Sequence, residues 1–367
     1  MSRSFAQLIR RAVCVSALAL LTACSGGGSV VYDYRPILNE ASFDDMPGWE
    51  NDQHATAYRL FANSCGWQAR RGEPYTTRTG ASVGDAESWR AVCGFTREFV
   101  NPTDAEARSF FEQYFTPYRV TTTYNELGRL TGYYEPLLQG SYSRTPRFNV
   151  PVYGVPRNFS KPSYSRAQIV NGALNGKAPV LLYVDDALML FFLHIQGSGK
   201  VQLPDGKIVG LQYAAQNGHE YVPIGRVMKE RGYLETVTMQ TIRDWLTNNP
   251  GRANEIMNTN PSYIFFKLSA GDAYAKGAMG ISLTPERSLA VDDDQTPYAM
   301  PIYVSTTSTR MDGSREPFNK LMVSQDTGGA LLGAHRGDIF FGRGAYEEFK
   351  AGHQNELGEV YWLLPNE

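Results

Sequence analysis

Long apolar runs, histidine clusters, blocks of one charge and internal repeats are all missing from this sequence, and each absence removes a class of function. The apolar run from Ala12 to Leu21 is about ten residues long, roughly half of what a helix needs to cross a bilayer. Five histidines, His54, His194, His219, His335 and His353, are scattered, and no His-Glu-x-x-His spacing offers a zinc site. Solitary histidines of this kind read as hydrogen-bonded structural groups. Lysine and arginine number 35 against 37 acids, a formal charge of −2. No basic block interleaves with aromatic residues, which argues against nucleic acid as a partner. No dinucleotide or phosphate-loop fingerprint stands in its proper setting, so no cofactor is expected. Cysteine is sparse, with four in 367 residues.

What is present begins at the N-terminus. Arg3, Arg10 and Arg11, then the apolar run, then small residues read as an export signal over residues 1–23. Without that segment 32 basic residues face 37 acidic ones, a net charge of −5. The run ends in Leu21-Thr22-Ala23-Cys24, which resembles the bacterial lipoprotein processing site and makes Cys24 the candidate for lipidation. Acyl chains hold a protein at a surface without a spanning helix. Ser25 rather than Asp follows, which in lipoproteins implies passage to the outer membrane, facing the periplasm. With Cys14 removed and Cys24 committed, Cys65 and Cys93 remain. In an oxidising compartment they either pair or stay as buried thiols, and sequence cannot set their distance. Gly26 to Gly28 open a tether over residues 24–45.

A chain of this length holds two domains or one elaborate one. Apolar spacing predicts helices over residues 52–70 and 85–99. A third opens at Thr103, with Glu106 completing a capping box and Phe110, Phe111 and Tyr114 as its apolar face. From 118 to 153 the chain is rich in Thr, Tyr and Val and punctuated by Gly and Pro, as successive strands would be. A short helix over 165–174 and a strand over 180–184 follow. Residues 187–195 form an apolar helix or buried segment ending at the turn Gln196-Gly197-Ser198-Gly199. That turn suits Ser198 to binding more than to attack. A hairpin is centred on Pro204-Asp205-Gly206. Helices are expected near 225–230, 238–247 and 253–258, then a strand over 263–268, and β-rich chain beyond Gly277. Helices early and strands late make the class α+β, mainly β.

Carboxylates are left as the chemistry. Asp326 lies in Gln325-Asp326-Thr327-Gly328-Gly329-Ala330 and Asp338 in His335-Arg336-Gly337-Asp338-Ile339-Phe340-Phe341-Gly342. Strand alternation puts Asp338 and Phe340 on one face, and Ile339 and Phe341 on the other. An acid among aromatic side chains holds its proton, because desolvation disfavours the charged form. The structural alternative is a pair of turn aspartates, since Asp and Gly dominate turns.

These residues, with Ala290-Val291-Asp292 upstream, resemble the three-aspartate module that closes the membrane-bound lytic murein transglycosylase A family. Thr131-Gly132-Tyr133-Tyr134-Glu135-Pro136, His194-Ile195-Gln196-Gly197-Ser198-Gly199 and Pro261-Ser262-Tyr263-Ile264-Phe265-Phe266 fall in the family's order. The match runs from roughly residue 100 to the end. Asp292, Asp293 and Asp294 are consecutive, so which of them is the module's first aspartate stays open.

The resemblance implies a double-psi β-barrel built from residues 46–134 and 263–367 and carrying the N-terminal helices. It also implies a smaller β-rich domain inserted at 135–262, with a groove between the two. The implied activity is cleavage of the MurNAc–GlcNAc β-1,4 bond of peptidoglycan with formation of 1,6-anhydro-MurNAc ends. Asp338 matches the catalytic acid, and Asp326 a partner that holds the network or raises the pKa of Asp338. Thr131, Tyr133, Tyr134, Gln196, Ser198 and Tyr263 would line the glycan groove, their hydroxyls, amides and rings suiting sugars. Tyr133 and Tyr134 are consecutive, so a strand turns one of the two inward. The implied partners are peptidoglycan glycan strands, the membrane through a lipid anchor, and proteins of cell-wall synthesis or division. Two rival readings are a peptidoglycan-binding lipoprotein that does not cut, and a hydrolase using Asp326 and Asp338 as a pair.

Overall fold

The computed structural model describes residues 35–71, 75–77, 83–271, 273–329 and 331–366. The expected export signal and Cys24 lie outside the described residues. The chain enters one sheet, leaves it for a second, and returns to the first. Strands β1 (Ile37–Glu40), β2 (Phe115–Thr121) and β3 (Gly128–Tyr133) belong to the first sheet. The second comprises β4 (Leu137–Ser141), β5 (Val150–Tyr153), β6 (Val180–Val184), β7 (Gly199–Gln202), β8 (Ile208–Gln216) and β9 (Ile264–Ala270). Then β10 (Ser288–Val291), β11 (Pro301–Thr309), β12 (Arg315–Thr327), β13 (Gly337–Phe340) and β14 (Asn355–Pro365) rejoin the first.

In the first sheet the order is β1-β2-β14-β11-β12-β10-β13-β3, and β14 pairs with β3 as well. That extra pairing closes β3, β14, β11, β12, β10 and β13 into a six-stranded barrel, so none of the six presents an unpaired edge. Two of its pairings are parallel, β10 with β12 and β13 with β3. This is the barrel the resemblance implied, with the second sheet inserted between β3 and β10. One boundary differs from expectation. Residues 264–270 run as β9 in the second sheet, because β8 pairs with that whole strand; the chain returns to the barrel after Ala270, not before Tyr263.

Helices α1 (His54–Arg71), α2 (Ala86–Phe95) and α3 (Asp104–Tyr114) pack on the barrel. The capping box at Thr103 and Glu106 is formed as expected. Trp49, Tyr58, Phe61, Phe110, Phe111 and Phe115 are fully buried in the core that joins these helices to the barrel. Asp52, just before α1, accepts two bonds from Arg287 (2.6 and 2.7 Å) and one from the Leu321 N–H, clamping the helices to the barrel. Cys65 in α1 and Cys93 in α2 are joined by a disulfide, with Cα atoms 5.4 Å apart. Helices α4 (Arg166–Val170) and α5 (Ala187–Gln196) pack on the second sheet, and α6 (Ile224–Glu230), α7 (Met239–Asn248) and α8 (Pro250–Met257) share a separate core with α5. The C-terminal stretch expected to be β-rich also holds α9 (Ala345–His353). Both sheets lie in one compact unit.

Candidate active site

Strand register assembles the carboxylates. Asp338 on β13 pairs with Thr131 on β3 and with Ala290 on β10. Ala290 in turn pairs with Asp326 on β12. Asp326, Ala290, Asp338 and Thr131 therefore form one row across four strands and share a face. Two strand spacings put the Asp326 and Asp338 backbones about 10 Å apart, with Ala290 on the strand between them. The β10–β12 pairing shifts register between Leu289 and Ala290, the kind of irregularity that re-aims a side chain next to a site. Phe340 pairs with Tyr133, two positions along both strands, so it lies on the face of Asp338. Ile339 and Phe341 point the other way, into the barrel core.

Hydrogen bonds fix both acids. The Thr131 hydroxyl donates to Asp338 Oδ1 at 2.7 Å and accepts from Arg336 Nη2 at 2.9 Å. Arg336 Nη1 is held by the Arg129 and Gly337 carbonyls. Tyr133 donates to Asp326 Oδ2 at 3.0 Å, and the Ala278 N–H to Oδ1 at 2.9 Å. The Tyr133 ring rests 5.2 Å from Phe340, which also meets Tyr274. Asp326 and Asp338 each keep part of their surface open to solvent.

Burial among protein atoms raises the pKa of both acids. For Asp338 it outweighs the nearby Arg336 charge and the Thr131 bond, which pull down. Asp326 is pushed up to about 6 by burial, against its bonds from the Thr327 N–H, Tyr133 and the Ala278 N–H, with the Asp338 charge adding to the rise. Tyr133 feels both negative charges, and burial keeps its phenol firmly protonated. The face thus carries two carboxyls whose burial favours their protonated forms, with the Tyr133 hydroxyl bonded to one of them.

The other sequence-predicted residues divide. Gln196 Oε1 accepts the Tyr134 N–H at 3.0 Å, so it comes to the end of β3 next to Tyr133. Gly197, with φ of 77°, ends α5 in the left-handed region and turns the partly exposed Ser198 out beside it. The Tyr134 ring is buried in the barrel core instead of facing a groove. Tyr263 is likewise buried, packed on His194 and Phe265 in the second sheet's core. Alternation explains Tyr134, since its neighbour Tyr133 takes the open face. Asp292 is buried and accepts the Gly333 N–H at 2.7 Å, fixing the loop that leads into β13. Asp293 accepts from the Thr327 hydroxyl.

Two residues went unremarked in the sequence. Arg336 lies two positions before Asp338, and extending the alternation back one step would have found it. Glu135 is 1% exposed and sits where the chain leaves the barrel. It accepts from Arg343 (2.8 Å) and the Ala275 N–H (2.9 Å), with Lys200 at 3.9 Å. Burial still raises its pKa against these partners. Its burial depends on three distant segments meeting, for which the sequence carries no signal.

Two family models match separate stretches of the chain. Residues 129–267 match the MltA specific insert domain and residues 287–364 the 3D domain. The membrane-bound lytic murein transglycosylase A of Vibrio cholerae is 35% identical over 239 residues, 64% of each chain. The matched stretch thus spans a little under two thirds of that relative. The crystal structure of membrane-bound lytic murein transglycosylase from Agrobacterium tumefaciens is similar with a TM-score of 0.78 and 30% identity, covering 89% of this chain and 97% of that one. The structure of E. coli MltA with bound chitohexaose is similar at 26% identity and a TM-score of 0.66, covering 92% and 94%.

Proposed function

The chain belongs to the membrane-bound lytic murein transglycosylase A family, and on that premise we propose that it is a peptidoglycan lytic transglycosylase. It cleaves the MurNAc–GlcNAc β-1,4 bond and leaves 1,6-anhydro-MurNAc ends. Asp338 gives its proton to the glycosidic oxygen as the bond to C1 breaks. The C6 hydroxyl of the same muramic acid residue attacks C1, and its proton passes to the Asp338 carboxylate, which restores the acid. Because the nucleophile is carried by the substrate, one carboxyl serves both steps and no water need be recruited. The observation that carries this reading is Asp338 itself: raised by burial, oriented by Thr131, and still partly open on one face.

Asp326 holds Tyr133, and as a second acid on the same face its ionised form would disfavour ionisation of Asp338. Thr131, Tyr133, Gln196 and Ser198 bind the glycan along the junction of barrel and insert, while Tyr134 and Tyr263 support from within the cores. Chitohexaose bound to the E. coli relative supports a β-1,4-linked sugar chain as the ligand class. Lipid on Cys24 holds the protein at the outer membrane, facing the periplasm, where murein lies within reach. Proteins of cell-wall synthesis or division are proposed partners.

One observation favours a second reading. Asp326 is pushed up to about 6 and stands two strands from Asp338, a spacing roughly suited to two-carboxylate hydrolysis with water. Digestion of purified sacculi followed by identification of the product ends decides between them. Anhydro-muramyl ends are expected. Reducing muramic ends would transfer the assignment to the hydrolase, and intact sacculi would leave a binding protein.

A further inference from the structure

A cavity of about 530 Å³ lies away from the two aspartates, enclosed by β5, α4, α5, α8 and Tyr263. None of Asp326, Asp338, Thr131 or Tyr133 lines it. Its wall contains two arginines and five asparagines and no acid, although the chain as a whole is slightly acidic. Arg166 is only 3% exposed. Its guanidinium donates to the Asn260 carbonyl (3.1 Å), the Ser262 carbonyl (2.6 Å) and His194 Nδ1 (2.9 Å), all neutral acceptors. Phe191 and Tyr263 present ring faces to it at 4.6 and 5.3 Å. Buried charges are as a rule paired with opposite ones, and here the described residues supply none.

His194 sharpens the point. Arginine can only donate, so Nδ1 accepts and the ring proton sits on Nε2. That N–H is buried and has no partner among the described residues. Burial, with the Arg166 charge, holds His194 well below its ordinary pKa and therefore neutral. Burial also lowers Arg166 to about 10, which leaves it charged at neutral pH. Arg144, on the exposed rim, adds a second cation. The volume falls in the range of pockets that take small ligands.

We propose that this cavity binds a short peptide through its free carboxylate, the cations taking the carboxylate and the asparagines the peptide groups. Sugars do not call for a buried uncompensated cation, whereas the peptides that peptidoglycan carries end in carboxylates. The inference rests on peptidoglycan as substrate and makes the insert a reader of the peptide while the barrel carries the acid. The choice of a peptide over inorganic phosphate follows from the asparagines, whose amides match peptide N–H and C=O groups in kind.

Titration calorimetry on the full chain tests it with N-acetyl-D-alanyl-D-alanine, the same peptide as its C-terminal amide, and inorganic phosphate. The free acid should bind about tenfold or more tightly than the amide, the difference expected of a charge-assisted hydrogen bond. Arg144→Glu and Asn149→Asp, both on exposed positions, should weaken the acid and leave thermal melting unchanged. Equal binding of acid and amide, no binding of either, or binding of phosphate alone would overturn the proposal. Product-end analysis on sacculi stays independent. Anhydro ends without peptide binding would sink the cavity and spare the activity, and the reverse result would do the opposite.

Discussion

Asp326 and Asp338 share a face, yet they are held differently, and that difference can be measured. Asp338 has one hydroxyl donor, Thr131, and Asp326 has Tyr133 and two backbone N–H groups. Asp338→Asn should fold and bind glycan while losing about a hundred- to ten-thousand-fold in turnover, the usual contribution of general acid–base catalysis. Asp326→Asn should keep measurable turnover with a displaced pH optimum. Assays on sacculi across pH check the pair, and death of the Asp326 variant alone would exchange the roles. Asp326 also makes a stability prediction. Its folded pKa of about 6 lies above its ordinary 3.8, so the folded state holds this proton more tightly. The associated stability is present below pH 4 and is lost as pH rises through 6. Asp326→Asn removes the ionisation and should melt higher than the parent at pH 7.5, by up to roughly 3 kcal/mol, with no such gain at pH 3.5. A gain independent of pH would contradict that pKa. Asp338 and its alternation with Phe340 were legible because a strand's period is fixed, whereas its bond from Thr131 was not, because that depends on β13 pairing with β3. Alternation showed that one of Tyr133 and Tyr134 turns inward, but neither which one nor the burial of Tyr263 was legible, because aromatic residues serve cores and sugar sites with the same chemistry.

The strand that carries Thr131 and Tyr133 depends on a residue with no side chain. A Cβ on Gly132 would stand 2.6 Å from Phe341 Cε2 and 2.9 Å from Ala351 Cα in α9. Gly132→Ala should push β3 off β13 and α9, costing about 1–3 kcal/mol as overpacking does. It should lower activity as well, because Thr131 and Tyr133 flank the displaced position. Thermal melting and sacculus turnover should fall together; a variant of full stability and activity would show that the contact relaxes freely. Gly132 stood inside a recognised motif, but α9 behind it went unseen. The chain beyond Gly277 was expected to be β-rich, and Glu347, Glu348, Lys350 and His353 at the two ends of α9 were the missed helix cue. The tie between α1 and α2 is also testable. Reducing Cys65–Cys93, separated by 28 residues, should cost about 3 kcal/mol in the loop-entropy estimate. Unchanged denaturant midpoints with and without reductant would remove that role.

Across the molecule, the insert leaves and rejoins the barrel at a junction where charge is buried. Glu135 meets Arg343 just after β13 and Lys200 on β7, so the two sheets share one ionic contact. Sequence periodicity yielded most of the strands and helices on either side. It could not yield ring closure, because β14 reaches both β2 and β3 only in three dimensions. Nor could it assign β9, whose pairing with β8 rather than its composition decides its sheet. Among the described residues no helix is long and apolar enough to cross a membrane. A lipid anchor is proposed from the N-terminal sequence alone. Leu21-Thr22-Ala23-Cys24 offers a single thiol to carry acyl chains, and stable anchoring takes more than one chain or signal. Cys24→Ala should therefore change where the protein is, and not what it does. In cells it should take up no labelled fatty acid and should leave the membrane fraction, as a soluble or an unprocessed form. Once purified, it should release the same product ends from sacculi as the parent, since the barrel and insert are untouched. Continued labelling would move the anchor to another residue. Loss of activity in the purified variant would tie Cys24 to the fold instead.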